Sequence, residues 1–327
     1  MMRKLISKDM PVNEITKRDA PSIATLILCS IAVLILVQVF VLQVPTTLSA
    51  KQVSVVVSIV PQKYFVDQIG KGKVNVIVMV PPGANPHSYE PKPKQMIALS
   101  AAKAYLTIGI EFEKAWLQKV LNQNRDMKIF HMEEGIKKIP IRKSVTKQYA
   151  TKSSIETLST DTHGDEKLDP HIWLSPILAK TIASNTANAL ITIDPSNTEF
   201  YNHNLKLFLS KIDALHEKIR KILDEKKKKA FIVFHPAWGY FAWTYGLKEV
   251  PIELEGKEPS PKELKELIQF ARQRGIKVIL VEPQFSDRIA KIISREIHGK
   301  LIKVDPLAYE WDINLLHVAE IIGEVSK

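Results

Sequence analysis

A chain of 327 residues with 46 Lys and Arg against 35 Asp and Glu, a net charge of +11 and 45% hydrophobic residues has room for two ordinary domains and a further segment. Its single cysteine, Cys29, excludes an internal disulfide and a thiolate zinc site. The excess of positive charge reads as a lysine-rich solvated surface. The basic run DEKKKK from Asp224 to Lys229 has no aromatic residues interleaved for base stacking, so no nucleic-acid partner is expected. Nor does a positive protein steer cations towards itself, so any metal capture must come from the local site.

Residues 1–20 are polar and carry five Lys/Arg and three Asp/Glu. From Ser22 to Val44 no charge occurs, and Gln38 and Gln43 are the strongly polar side chains. At roughly 1.5 Å per residue a helix there spans about 34 Å, enough to cross a bilayer. Arg3, Lys4, Lys8, Lys17 and Arg18 in front of it favour a cytoplasmic N-terminus. A single-pass cell-membrane protein with an extracytoplasmic remainder is therefore expected. The apolar run exceeds the usual signal core, which favours a retained anchor over cleavage near Ser49 or Ala50. Cys29 raises lipidation as a further alternative, although Leu28 before it is not small.

After Gln52 the pattern turns to short β-branched runs alternating with helical segments. Val53–Val60, Val74–Val80, Tyr105–Ile108 and Met127–Phe130 read as strands, the first two nearly all apolar, as in a parallel sheet covered on both faces. Helices are expected at Pro61–Ile69, Pro93–Ala102 and Glu113–Asn122, followed by an apolar-poor excursion over residues 132–168 and a helix at Pro176–Ile191. Asp194-Pro195 looks like a helix start. Beyond it Leu205, Phe208, Ile212, Leu215, Ile219 and Ile222 form one apolar stripe, uninterrupted by Gly or Pro. The second half repeats the alternation. Its strands are Ala230–Phe234, Lys248–Glu253, Ile276–Val281 and Leu301–Val304, and its helices Ala237–Tyr245, Ser260–Arg274, Ser286–Ile297 and Trp311–Val325. The expected fold class is α/β: two βαβ lobes, each with a roughly four-stranded parallel sheet, joined by one long rigid helix, plus an N-terminal transmembrane helix. The corresponding boundaries are a tail at 1–20, an anchor at 21–48, a first lobe at 49–193, the connecting helix at 194–228 and a second lobe at 229–327.

Four short stretches each place a metal-capable side chain beside a proline: NPHSYEPKP with His87, DPHIW with His171, FHPAWGYF with His235 and VDPLA with Asp305. In open parallel sheets ligands bind beyond the carboxyl ends of strands, and His87, His235 and Asp305 follow such ends. The prolines restrict their neighbours to extended geometry, lowering the entropy lost when a metal binds. Three imidazoles and one carboxylate suit four-coordinate zinc, whereas manganese prefers more oxygen. Glu282, at the end of VILV, is the alternative fourth ligand. The remaining histidines, His131, His203, His216, His298 and His317 among them, fit ordinary surface or half-buried positions.

The ordered motifs GANPHSYEPKP, DPHIWLSP, FHPAWGYF, EPSPKEL, VEPQFS and DPLAYEWD, between Val53 and Val325, resemble the metal-binding solute-binding proteins of zinc and manganese ABC importers, a family that includes streptococcal surface adhesins. The resemblance implies two β/α lobes joined by a long helix, with Zn²⁺ (or Mn²⁺) in the cleft held by His87, His171, His235 and Asp305. It also implies an ABC permease and its ATPase as partners. A histidine at position 235 is the pattern of zinc binders in that family. The chain departs from the pattern in two places. Residues 132–168 hold only His163 with Asp161, Asp165 and Glu166, where many zinc members carry a His-rich loop, and the N-terminus reads as an uncleaved anchor. A monomeric, non-enzymatic metal carrier is expected. The rivals are a manganese-specific member of the same family, a membrane-anchored zinc hydrolase, and an adhesin whose metal is structural. The hydrolase lacks an HExxH-type pairing of ligands with a base.

Overall fold

Strand formation begins with Val53–Val57 (β1), whose alternate side chains all find cover. Burial of both faces is what lets such an apolar run pair in parallel. The computed structural model describes residues 22–24, 27–28, 30–31, 52–141, 167–224, 230–253 and 256–324. The chain divides into two compact units, Met1–Ala50 and Lys51–Lys327. In the first, Ile23, Ile27, Leu28 and Ile31 are helical and exposed. Most of the expected span Ser22–Val44 lies outside the described residues, and among those described no helix is long and apolar enough to cross a membrane. The expectations for residues 1–20, His163 and its acidic neighbours, and the basic run after Asp224 also lie outside them.

The second unit holds two four-stranded sheets, parallel throughout. In the first, β1 lies between Val74–Val78 (β2) and Ala104–Thr107 (β3), and Lys128–His131 (β4) completes the order β2-β1-β3-β4. The second repeats it with Ala230–Val233 (β5), Lys248–Pro251 (β6), Val278–Val281 (β7) and Lys300–Lys303 (β8), in the order β6-β5-β7-β8. The central strands β3 and β7 are buried at every residue, while β4 and β8 expose both ends, as edge strands do. Each sheet reverses its build direction between its two central strands, opening a crevice at their carboxyl ends.

Nine α-helices cover these sheets among the described residues: Val60–Gly70 (α1), Pro93–Ala98 (α2), Glu111–Gln123 (α3), Pro176–Ile193 (α4), Thr198–Leu223 (α5), Gly239–Thr244 (α6), Pro261–Gln273 (α7), Arg288–Ile297 (α8) and Trp311–Glu324 (α9). The cap of α7 follows its sequence: Ser260 Oγ accepts from the Glu263 amide and the Glu263 carboxylate accepts from the Ser260 amide. Helix α5 starts later than Asp194-Pro195 suggests. Pro195–Asn197 forms a 3₁₀ turn, because the Asp194 carboxylate is held by Ser196, Asn197 and the Tyr201 hydroxyl and the chain is drawn tight around it. The 26 residues of α5 run on the order of 39 Å. Tyr201, Phe208, Ile212, Leu215, Ile219 and Leu223 are buried along one side.

That stripe lies in a core that runs without interruption from the first sheet, across α5, to α9 and one face of the second sheet (Phe231, Val233, Val278, Leu280). The opposite face of the second sheet packs separately against Leu267, Ala271, Ile293 and Ile297 of α7 and α8. Two indole bonds tie the lobes further: Trp173 Nε1 donates to the Pro306 carbonyl at 2.8 Å and Trp311 Nε1 to the Trp173 carbonyl at 2.6 Å. A continuous apolar core resists opening as a hinge, since separating the lobes would expose it to water.

Candidate metal centre

His87 stands on the loop after β2. Asn85 Oδ1 accepts from the His87 amide at 2.9 Å, a turn that sets the ring's direction. The loop is pinned behind it by Gln95, whose Nε2 donates to the Met79 carbonyl and whose Oε1 accepts from the Tyr89 hydroxyl. His171 precedes a short 3₁₀ turn, Ile172–Leu174, leading into α4. His235 follows β5 by one residue, and Pro236 turns the chain so that the Ala237 amide donates to the His235 carbonyl at 2.8 Å.

These segments bring the three imidazoles together, with one nitrogen from each of His87, His171 and His235 lying within 4.8 Å of the others. His87 Nε2 and His235 Nε2 are 3.3 Å apart. Every ring is held from behind by a carboxylate. His87 Nδ1 meets Glu111 Oε2 at 2.7 Å, His171 Nδ1 meets Asp169 Oδ1 at 2.8 Å, and His235 Nδ1 lies 3.3 Å from Glu253 Oε2. An ionised carboxylate only accepts, so each Nδ1 carries the proton and each Nε2 offers its lone pair to the centre. Two lone pairs facing one another at that separation repel unless a cation or a proton lies between them. The spacing also fits zinc: Zn–N bonds of roughly 2.0–2.1 Å at a tetrahedral angle put two ligand nitrogens roughly 3.3–3.4 Å apart.

Burial lowers the proton affinity of both His87 and His235. The desolvation outweighs the adjacent carboxylates and keeps the imidazoles in the neutral, ligating form. Glu111 behaves differently. Burial would raise its carboxyl, but hydrogen bonds from Lys167 and His87 draw it down to about 2. The Lys167 ammonium lies 2.5 Å from Glu111 Oε1, so one carboxylate bridges Lys167 and His87. Behind His171, the absence of a side chain on Gly239 makes room for Asp169: a Cβ there would stand 2.7 Å from Asp169 Oδ2.

The centre opens into a cleft of about 460 Å³, lined by residues of both lobes that include the three histidines, Glu111, Gln284, Phe285 and Leu307. The Phe285 ring stacks on His235 at 5.1 Å. Asp305 is outside the set of mutually close donor atoms. Its Oδ1 accepts from Gln284 Nε2 at 2.8 Å and from the Leu307 amide at 2.9 Å. Glu282 is fully buried, accepts from the His235 amide through Oε2, and among the described residues has no partner for Oε1. Burial pushes its carboxyl well above the usual range, which suits a neutral acid supporting the His235 loop. Asp169 Oδ1 holds both the amide and the ring of His171. Asp312 pairs with Lys211.

The description "Zinc-uptake complex component A periplasmic" (ZnuA) belongs to a family whose profile matches residues 55–312. The chain belongs to the ZnuA family. A ZnuA relative, the high-affinity zinc uptake system protein of Bacillus subtilis (strain 168), is 30% identical over 251 residues, 75% of this chain and 76% of that protein. The iron-binding protein YfeA of Yersinia pestis is 29% identical over 237 residues, 70% of each chain. The zinc-binding protein AdcA of Streptococcus pyogenes serotype M3 (strain ATCC BAA-595 / MGAS315) is 26% identical over 271 residues, and the match spans about half of its length, 52%. A ZnuA crystal structure superposes with a TM-score of 0.75 at 39% identity, covering 85% of this chain and all of that one. The ZnuA architecture of two α/β lobes and a long helix is the one found here.

Proposed function

We propose that this chain is the extracytoplasmic solute-binding component of a metal ABC importer, capturing Zn²⁺ between its lobes and passing it to a permease driven by a cytoplasmic ATPase. The observation that carries this is the Nε2 pair of His87 and His235 at 3.3 Å, beside His171 and with a carboxylate behind every ring. Membership of the zinc-uptake family and the zinc-named relatives support the cargo. Mn²⁺ is the second candidate, favoured by the likeness of fold to a manganese-bound periplasmic protein of Candidatus Liberibacter asiaticus (TM-score 0.70, 22% identity). His87, His171 and His235 supply three neutral nitrogens and Asp305 the fourth ligand, giving a tetrahedral, closed coordination set that suits carriage more than catalysis. Metal reaches the cleft from the side of His87 and leaves by the same side, because the shared core opposes wide opening of the lobes.

The remaining assignments extend the same reading. The protein is monomeric and held by a membrane anchor within 21–48, a cytoplasmic tail at 1–20 preceding it. The exposed Ile23, Ile27, Leu28 and Ile31 suit lipid contact. The first lobe is 49–193, the connector 194–228 and the second lobe 229–327.

The test is calorimetric titration of the purified full chain after metal removal. One Zn²⁺ per chain is expected, and His235→Ala should weaken binding by about 4 kcal/mol, on the order of a thousandfold. Unchanged binding in that variant would remove His235 from the site.

A further inference from the structure

Asp305 is fixed more tightly than a single ligand needs to be. Its carbonyl accepts from Asn314 Nδ2 at 2.8 Å and from the Ala308 amide at 3.1 Å, and Pro306 follows it. Its Oδ1 is engaged twice, by Gln284 Nε2 and by the Leu307 amide. A carboxylate can only accept, so the Gln284 amide must present its NH₂ to Asp305 and turn its oxygen away. That oxygen is buried and has no partner among the described residues, so among them the amide is held in this orientation by Asp305. Gln284 comes from the segment after β7. It lines the cleft next to Phe285, the ring stacked on His235.

We propose that Gln284 is a specificity-determining residue: by occupying Oδ1 of Asp305 it restricts that carboxylate to coordination through Oδ2 alone, and so favours zinc over manganese. Three imidazoles and one carboxylate oxygen make the four-coordinate set that zinc adopts. Manganese gains more from additional oxygen ligands, and Oδ1 is the second oxygen that the same carboxylate could offer. Recruiting it would break the bond from Gln284 and the bond from the Leu307 amide, leaving the amide without its one partner. The cost falls on the larger, oxygen-preferring ion and spares zinc. This inference rests on Asp305 being the fourth ligand.

The experiment compares the wild-type full chain with Gln284→Met, which keeps the volume and removes the donor, with Gln284→Ala, and with Asp305→Ala. Zn²⁺ and Mn²⁺ affinities are read by chelator competition, and the visible absorption of bound Co²⁺ reports coordination number. Both Gln284 variants should lower the Zn/Mn affinity ratio by about tenfold, mainly through tighter Mn²⁺ binding, and should weaken the Co²⁺ bands as the site leaves tetrahedral geometry. If the ratio and the Co²⁺ spectrum stay at wild-type values in both while Asp305→Ala loses zinc affinity, the role of Gln284 is refuted and the four-ligand site stands. If Asp305→Ala binds zinc as wild type does, the fourth ligand is misassigned and the role of Gln284 falls with it.

Discussion

The two sheets have the same strand order and each sends a histidine from its carboxyl ends into one cleft, yet the two sides are built to different standards of enclosure. On the first, the His87 and Glu111 side chains are 28% and 38% exposed. On the second, His235 and Glu253 are 11% and 7% exposed. His171 belongs to the first lobe in sequence, but with its partner Asp169 at 9% and 3% it sides with the enclosed pair. The centre therefore has a buried wall of two histidines and an exposed one that completes it. A hydrogen bond to a carboxylate is worth more where water does not compete, so on the proposed function the wall would be organised before metal arrives, and His87, the more exposed ring, would meet the incoming ion first.

If that contrast has functional content, removing a supporting carboxylate must cost more on the wall than at the mouth. Asp169→Asn keeps the shape but removes the charge opposite His171 Nδ1 and introduces an NH₂ near it. Loss of such a support lowers metal affinity by about 10–100-fold, and the upper end is expected here, because Asp169 is buried and accepts from both the His171 amide and its ring. Gly239→Ala should act in the same direction through displacement of Asp169. Equal losses for Asp169→Asn and Glu111→Gln in a zinc competition assay would mean that enclosure does not grade the supports.

Acid sharpens the comparison in a second way. Metal binding needs neutral imidazole, and protons compete only below the pKa of each ring. Burial holds His87 and His235 below the ordinary value of 6.5, so their share of zinc affinity should be constant above that pH and fall only as acidification passes the lowered values. Beyond that point each protonated ring costs about a tenfold loss per pH unit. A zinc affinity already falling steeply between about pH 8 and pH 7 would contradict the burial argument for these two rings.

Much of this arrangement was legible in the chain. VSVVVSIV and VNVIVMV give β1 and β2, the repeated alternation after residue 230 gives the second sheet, and the prolines beside His87, His171 and His235 mark the three rings that converge. Strand ends were read long, because residues such as Ser58, Val80 and Glu253 continue the apolar or extended pattern after pairing has stopped. The supports Glu111 and Glu253 were missed. Each is separated from its histidine by many residues, and nothing local distinguishes an acid aimed at a ring from one aimed at water. The available signal was positional: both follow strands β3 and β6 closely, at the same carboxyl ends of the sheets as His87 and His235. The bonds to Asp305 Oδ1 could not be read either, since a side chain's second partner depends on a fold that brings Gln284 and Asp305 together.

The smallest effect is expected at the mouth, and it carries its own signature. Lys167 lies opposite Ile141, whose amide donates to the Lys167 carbonyl at 2.9 Å, next to the Pro140–Leu168 bridge. Its ammonium holds Glu111 Oε1 while Oε2 holds His87. Glu111→Gln should therefore weaken zinc by about tenfold, the lower end for a lost support. Lys167→Ala, which loosens Glu111 without touching a ligand, should cost only about twofold to threefold, within the range of an exposed ion pair. Because both groups are partly exposed, salt should erode the difference between Lys167→Ala and wild type. At about 1 M ionic strength the screening length shrinks to about 3 Å and the two should converge, whereas the Asp169→Asn deficit should persist. A Lys167→Ala deficit that is independent of salt would show that the lysine acts by packing at the base of the excursion, and not through the charge it holds against Glu111.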